Sequence, residues 1–266
     1  MVDLIICSMV YKNMIKDLPP VGLLRGKCAI VTGAGTGIGR AIARVCVREG
    51  ARVLAADFSG AQDSLTQELG SAVIPFQADV TREEAVEAML GRAMEAFGRV
   101  DAIVNNAGTI YSPRPEFSRE YYEDYTQTNF FGVMLCCKHA VRFMVPTGGG
   151  AIVNVSSVSS LNTEERTSPI YAGAKAAINS LTKTFAVRYG AQGIRANAIA
   201  PGFTHSETNL RAPVQTLQNM DSKAALGRGA HPEEQAHVAA FLVSDRASFL
   251  SGAIIPVDGA WSARMV

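Results

Sequence analysis

Apolar positions along this chain fall into short, nearly unbroken runs separated by longer stretches of helical periodicity. The runs at 28–32, 52–57, 73–77, 102–105, 151–155, 195–199 and 253–257 predict strands, and 37–49, 61–69, 82–97, 119–144, 169–189 and 232–243 predict helices. Strands that are apolar on both sides and alternate with helices imply βαβ units. The expected fold is therefore α/β: a doubly wound parallel sheet of about seven strands, with helices on both faces. Two helix starts carry their own signal. Thr81-Arg82-Glu83-Glu84 has the spacing of a capping box, and Ser168-Pro169 offers an N-cap followed by Pro at the first helical position. Residues 201–231 show no strand or long helix, and a connection of that length inside a compact domain is usually functional, so a substrate loop is expected there. Residues 1–25 read as an N-terminal extension with a composition compatible with disorder, and 26–266 as a single Rossmann-type domain. The opening residues do not have the layout of a secretory signal, because Asp3 precedes a short apolar run and the lysines follow it.

Composition narrows the function classes. With 25 Lys+Arg against 24 Asp+Glu the net charge is +1, and no basic run is present, which argues against a nucleic-acid groove or an anchor for acidic lipid. The longest uncharged stretch, 143–163, contains a Pro, glycines and serines, so a membrane-spanning helix is not expected. The five cysteines, Cys7, Cys28, Cys46, Cys136 and Cys137, form no metal-binding spacing, and their odd number suits a reduced, cytoplasmic protein. Cys136 and Cys137 read as small hydrophobes on one helix. His139, His231 and His237 share no spacing with acids and read as surface or helix residues. His205 falls in the loop, where it either meets a ligand or is simply solvated. No metal site is expected.

The first candidate chemistry is the turn after the first strand, Thr32-Gly33-Ala34-Gly35-Thr36-Gly37-Ile38-Gly39. Glycines there permit a tight turn and a close backbone approach, and the new helix offers unpaired N–H groups to a pyrophosphate. Asp57 ends the second strand, 18 residues beyond Gly39, where a carboxylate can accept from an adenosine ribose. That charge would repel a 2′-phosphate, and its neighbour Phe58 supplies no cation, so NAD is expected over NADP. A methyltransferase could present the same loop and acid, which leaves the reaction open at this point.

The later motifs restrict it. The spacing Thr-Gly-x-x-x-Gly-x-Gly at Thr32–Gly39 resembles that of the short-chain dehydrogenase/reductase family. Asp79-Val80, Asn105-Asn106-Ala107-Gly108, Ser157 with Tyr171-x-x-x-Lys175, Pro201-Gly202 and Val257-Asp258-Gly259-Ala260-Trp261 follow in the family's order. The last departs from the pattern in having Ala260 where a second Gly is usual. The resemblance implies that Asn129, Ser157, Tyr171 and Lys175 are catalytic. It also implies that the dinucleotide is bordered by Gly33, Gly35, Thr36, Gly37, Ile38, Gly39, Asp57, Phe58, Asp79, Val80, Asn105, Ala107, Gly108, Tyr171, Lys175, Pro201, Gly202, Phe203, Thr204 and Ser206. Asp79 would accept from adenine or else be a plain loop residue. Asn129 would kink its helix and turn a backbone carbonyl to a water beside Lys175.

The chemistry can also be argued from the residues. Tyr171 and Lys175 are one helical turn apart on one face. An ammonium about 5 Å away, at an effective dielectric near 20, would favour the phenolate by roughly 3 kcal/mol, about two pKa units below the ordinary tyrosine value near 10. Tyr171 could then exchange a proton with a substrate hydroxyl, and Ser157 could hold the same oxygen. The expected activity is NAD-dependent interconversion of a secondary alcohol and a ketone, in a protein with a small-molecule alcohol or ketone substrate and no nucleic-acid or membrane partner. A 3-oxoacyl carrier-protein reductase and a non-catalytic NAD-binding regulator are the alternatives. A family enoyl reductase would have wider Tyr–Lys spacing. The loop residues Leu210, Ala212, Pro213, Val214, Leu217 and Met220 form an apolar side that either faces substrate or packs the loop down, and Glu164, Glu165 and Arg166 sit at the expected pocket rim. Phe130, Met134, Leu135 and Phe143 exceed what one buried helix face needs, and together with the resemblance they imply a homotetramer.

Overall fold

A computed structural model of the chain describes residues 22–164 and 167–264, so most of the expected N-terminal extension, with Cys7, and the rim residues Glu165 and Arg166 lie outside the described residues. Strands β1 (Cys28–Thr32), β2 (Arg52–Asp57), β3 (Val73–Gln77), β4 (Ala102–Asn105), β5 (Gly150–Val155), β6 (Ile194–Pro201) and β7 (Ile254–Val257) form one sheet. Its order is β3-β2-β1-β4-β5-β6-β7, and every neighbouring pair is parallel. The order reverses between β1 and β4, which opens a crevice at the carboxyl ends of the strands.

The apolar runs do what parallel strands require. All five residues of β1 are buried. Ala29 and Val31 face one core while Ile30 faces the other, as the two-residue period of a strand dictates. The first core is closed by helices α1 (Gly37–Arg48) and α8 (Pro232–Val243). The second is closed by α3 (Glu83–Phe97), α5 (Val133–Met144) and α6 (Pro169–Tyr189). Short α2 (Ser64–Leu69) follows β2, α4 (Arg119–Thr126) follows β4, and α7 (Val214–Lys223) lies in the loop after β6. Cys28, Cys46, Cys136 and Cys137 are buried, and burial pushes the Cys46 and Cys137 thiols up to about 12, so they behave as hydrophobes. Leu24 is wholly buried in the first core, so the packed chain begins before residue 26.

Several local expectations are revised. No capping box forms at Thr81: its amide and hydroxyl both donate to Asp79 Oδ1, and Arg82 is the N-cap of α3. An aspartate two residues upstream outcompetes the helix for that hydroxyl. The expected helix 119–144 is broken into α4, a π-helical segment Gln127–Gly132 and α5, with the buried Asn129 in the break. Loop 201–231 contains α7. His139 is a helix residue, on α5, and is buried there with Nε2 2.8 Å from Glu83 Oε1. Ser168, by contrast, caps α6 as its sequence implies, accepting from the Tyr171 amide at 3.3 Å.

Candidate active site

The glycine-rich turn sits at the crevice where the sheet reverses, and its shape is imposed by its neighbours. Thr32 Oγ1 accepts from the amides of Asn106 and Ala107, each at 3.1 Å, and Asn106 Nδ2 donates to the carbonyls of Thr32 and Gly33, each at 3.1 Å. The turns after β1 and β4 are thus one hydrogen-bonded unit. A Cβ on Gly39 would lie 2.0 Å from the Gly33 carbonyl oxygen, so only glycine fits there. Asn106, whose place in the Asn105–Gly108 motif implies no side-chain role, is the clasp of this unit.

Asp57 reaches back to the turn: Oδ2 accepts from the Gly35 amide at 2.9 Å, and Oδ1 from the amide and hydroxyl of Ser59 at 2.9 and 2.7 Å. Phe58 beside it is exposed. A cation that the sequence reading did not count lies close by. Arg40 donates to the Gly35 carbonyl and to Ser64 Oγ, and pairs with Glu68, which also binds Arg44. Thr36 is the N-cap of α1 without a side-chain bond, and the amide of Gly37 at this helix start donates to the Glu207 carboxylate at 3.3 Å, as it would to another anion. Glycines that a Cβ would fill, a helix N-terminus that already holds a carboxylate and an acid at the end of β2 fit a dinucleotide.

The residues expected to transfer a proton converge on the same edge. Ser157 follows β5, its hydroxyl accepts from the Ser159 amide at 3.1 Å, and its side chain lies close enough to Tyr171, near the start of α6, to oppose the rise of the phenol pKa. Lys175 is buried, its Nζ donating to the Val155 carbonyl at 2.9 Å and lying 5.7 Å from the centre of the Tyr171 ring. A Cβ on Gly108 would meet Asn129 Oδ1 at 2.7 Å and Lys175 Nζ at 3.4 Å, so the β4 loop, the π segment and α6 meet here. Asn129 Nδ2 donates to the carbonyls of Thr109 and Tyr125, while its Oδ1 is buried without a partner in the protein.

Electrostatics differ from the expectation for the isolated pair. Burial raises the Tyr171 phenol above its ordinary value, with only the Ser157 hydrogen bond opposing it. Burial also lowers Lys175 to about 8, so the ammonium that was to pull the phenol down is itself weakened. An unexpected tyrosine ladder backs the site. The Tyr125 ring meets that of Tyr171 edge-on at 6.0 Å, Tyr121 meets Tyr125 at 5.0 Å, and the Tyr121 hydroxyl donates to Ser168.

The other candidates divide between side-chain and backbone roles. Val80 is buried and Asp79 half-buried, its Oδ1 committed to Thr81. Asn105 turns its amide into the core onto Asn154 and Cys137, so it offers the crevice backbone, not side chain. Thr204 is buried with its hydroxyl on the Gly202 carbonyl. Pro201, Gly202, Phe203 and Ser206 carry the loop from β6 across to α1, where Ser206 Cβ would stand 3.2 Å from a Cβ on Gly37. The loop is anchored beyond that point. His205 Nε2 is 2.6 Å from Asp221 Oδ1 on α7, so it is engaged in a hydrogen bond instead of simply solvated. Glu164 binds Lys223, and the Trp261 indole donates to it at 3.2 Å. No residue of α7 is buried, and Leu210 and Val214 are exposed, which favours the apolar side facing outward over packing onto the domain. His231 precedes α8 and pairs with Glu233, and His237 is exposed on that helix.

With this geometry in place, the chain can be set beside known proteins. A family model described as enoyl-(acyl carrier protein) reductase matches residues 33–262. The chain belongs to the short-chain dehydrogenase/reductase family. It is 40% identical to cis-4-hydroxycyclohexanecarboxylate dehydrogenase of Sinomonas cyclohexanicum, over 89% of this chain and 97% of that one. It is 37% identical to 3beta-hydroxysteroid dehydrogenase 2 of Eggerthella lenta, over 91% and 96%. The crystal structure of levodione reductase superposes with a TM-score of 0.85 at 31% identity, covering 91% of this chain and all of that one. This member of the family is an oxidoreductase, and the family works with nicotinamide cofactors, NAD or NADP.

Proposed function

We propose that the protein interconverts a secondary alcohol on an apolar ring with the corresponding ketone, using NAD. The observation that carries this reading is the convergence of Ser157, Tyr171 and Lys175 at the sheet edge that also holds the glycine turn and Asp57. A bound nicotinamide supplies the hydride acceptor or donor. Tyr171 gives or takes the hydroxyl proton, Ser157 fixes the substrate oxygen, and Lys175 adds positive charge beneath them. Asn129 holds the Thr109 and Tyr125 carbonyls and so sets the wall beside Lys175. The ring preference is supported by exposed Ile110, Leu161, Leu210 and Val214 on the loops after β4, β5 and β6. It is supported as well by the names of two relatives, a hydroxycyclohexanecarboxylate and a hydroxysteroid dehydrogenase. The four-residue step from Tyr171 to Lys175 favours carbonyl over enoyl reduction.

NAD is favoured because the Asp57 carboxylate faces the turn while the Arg40 charge is consumed by Glu68. Titration of both cofactors, read by Trp261 fluorescence, should give NAD at least roughly tenfold tighter binding, about 1.4 kcal/mol. Asp57→Ala should erase most of that gap. Nicotinamide absorbance should then change with cyclic secondary alcohols; equal cofactor affinities would refute the NAD assignment, and silence across a broad alcohol and ketone panel would refute the enzyme.

A further inference from the structure

We propose that Glu207 sets the affinity for phosphate-bearing cofactor by occupying the helix start that the pyrophosphate needs. This rests on the dinucleotide reading of the glycine turn. Gly37 is the first residue of α1, and its amide is one of the donors a helix start leaves unpaired. In this chain it donates to Glu207 Oε2 at 3.3 Å, across 170 residues of sequence. A carboxylate there satisfies both the N–H and the positive end of the helix dipole, which are the two features that draw a phosphate to the same place.

Glu207 is placed there by its neighbours. Ser206 abuts Gly37, its Oγ accepts from the Asn209 amide at 3.3 Å, and its carbonyl accepts from Leu210 at 2.9 Å. Asn209 Nδ2 closes the turn on the Thr204 carbonyl at 2.8 Å. This turn leads directly into Leu210 and α7, whose exposed apolar residues Leu210 and Val214 support the proposed ring preference. An arriving pyrophosphate therefore has to displace or repel Glu207, and the displacement shifts the start of the substrate loop. Arg40, which donates to the Gly35 carbonyl, is engaged by Glu68 and Ser64 and does not offset the acid. Glu207 thus works against cofactor binding and links that binding to the position of the loop.

The test is direct binding, without turnover. NAD, ADP and adenosine are titrated calorimetrically into wild type, Glu207→Gln and Glu207→Ala at low and high salt. Both variants should bind NAD and ADP about tenfold more tightly than wild type at low salt, with adenosine unchanged and the gain narrowed at about 1 M salt by screening. Unchanged or weaker binding of NAD and ADP by both variants, or an equal gain for adenosine, would overturn the role of Glu207. Wild type that binds neither NAD nor NADP would overturn the dinucleotide reading itself, and this proposal with it.

Discussion

At the scale of single residues, burial decides the chemistry more than spacing does. Tyr171 and Lys175 share a helix face as their positions require, yet the buried lysine sits at about 8 and the phenol above its ordinary value. Tyr171→Phe removes one oxygen and leaves Lys175 and the glycine turn in place. Turnover should drop by at least about a hundredfold while cofactor affinity, measured by titration, barely changes; near-normal turnover would remove Tyr171 from the mechanism. Lys175 has a stability signature as well. Its folded value lies below its unfolded one, so between about 8 and the ordinary lysine value the unfolded chain holds the extra proton. The penalty for burying it is complete below about 8 and is relieved as pH rises through that window. Wild type measured against Lys175→Met by urea unfolding should therefore gain relative stability from pH 7 to pH 10, and a flat difference would contradict the burial of this amine.

Elements carry a second layer of determinants, mostly at their ends. Ser168 accepts from both the Tyr171 amide and the Tyr121 hydroxyl, so it caps α6 and fastens the tyrosine ladder to the helix that carries Tyr171 and Lys175. Ser168→Ala should cost about 1 kcal/mol in denaturant unfolding, the usual loss for an N-cap, and should lower turnover more than cofactor binding. Ala260 stands where the family resemblance expects glycine, and it adopts a φ of +66, in the left-handed region that burdens a Cβ. Ala260→Gly should raise stability by about 1 kcal/mol in the same assay, with no gain if that turn relaxes in solution. The π-helical segment 127–132 explains why one long helix is legible in the sequence while two occur. The apolar period runs on through 119–144, and periodicity does not register one extra residue in a turn that leaves Asn129 inside.

For the whole molecule, some exposed apolar residues lie away from the crevice loops that carry Ile110, Leu161, Leu210 and Val214. Phe131 and Val187 lie with α5 and α6 on one side of the sheet, and Phe241 and Phe249 with α8 on the other. Leu135, expected among the surplus, is spent on the protein's own core, and Phe143 packs against it. If each of these two surfaces meets its own copy, the expected assembly is a dihedral tetramer. Light scattering at micromolar concentration should report four times the chain mass, and Phe249→Asp should reduce the assembly to dimers. A stable wild-type monomer would contradict this reading.

Much of the fold and part of the site follow from the sequence alone, because both rest on local rules. Apolar runs between amphipathic stretches can bury themselves only as a covered parallel sheet, and glycines between β1 and α1 mark a turn wherever the rest of the chain goes. The four-residue step puts Tyr171 and Lys175 on one face for the same reason. What remained illegible arises from approach through space. The clasp of Asn106 on Thr32, the pairing of Arg40 with Glu68 beside Asp57 and the placement of Glu207 on Gly37 join segments remote in sequence. The direction of the Tyr171 and Lys175 shifts depends on desolvation, which no spacing contains. Periodicity determined which elements exist and in what order; only their packing decided which charges meet and which protons are easy to move.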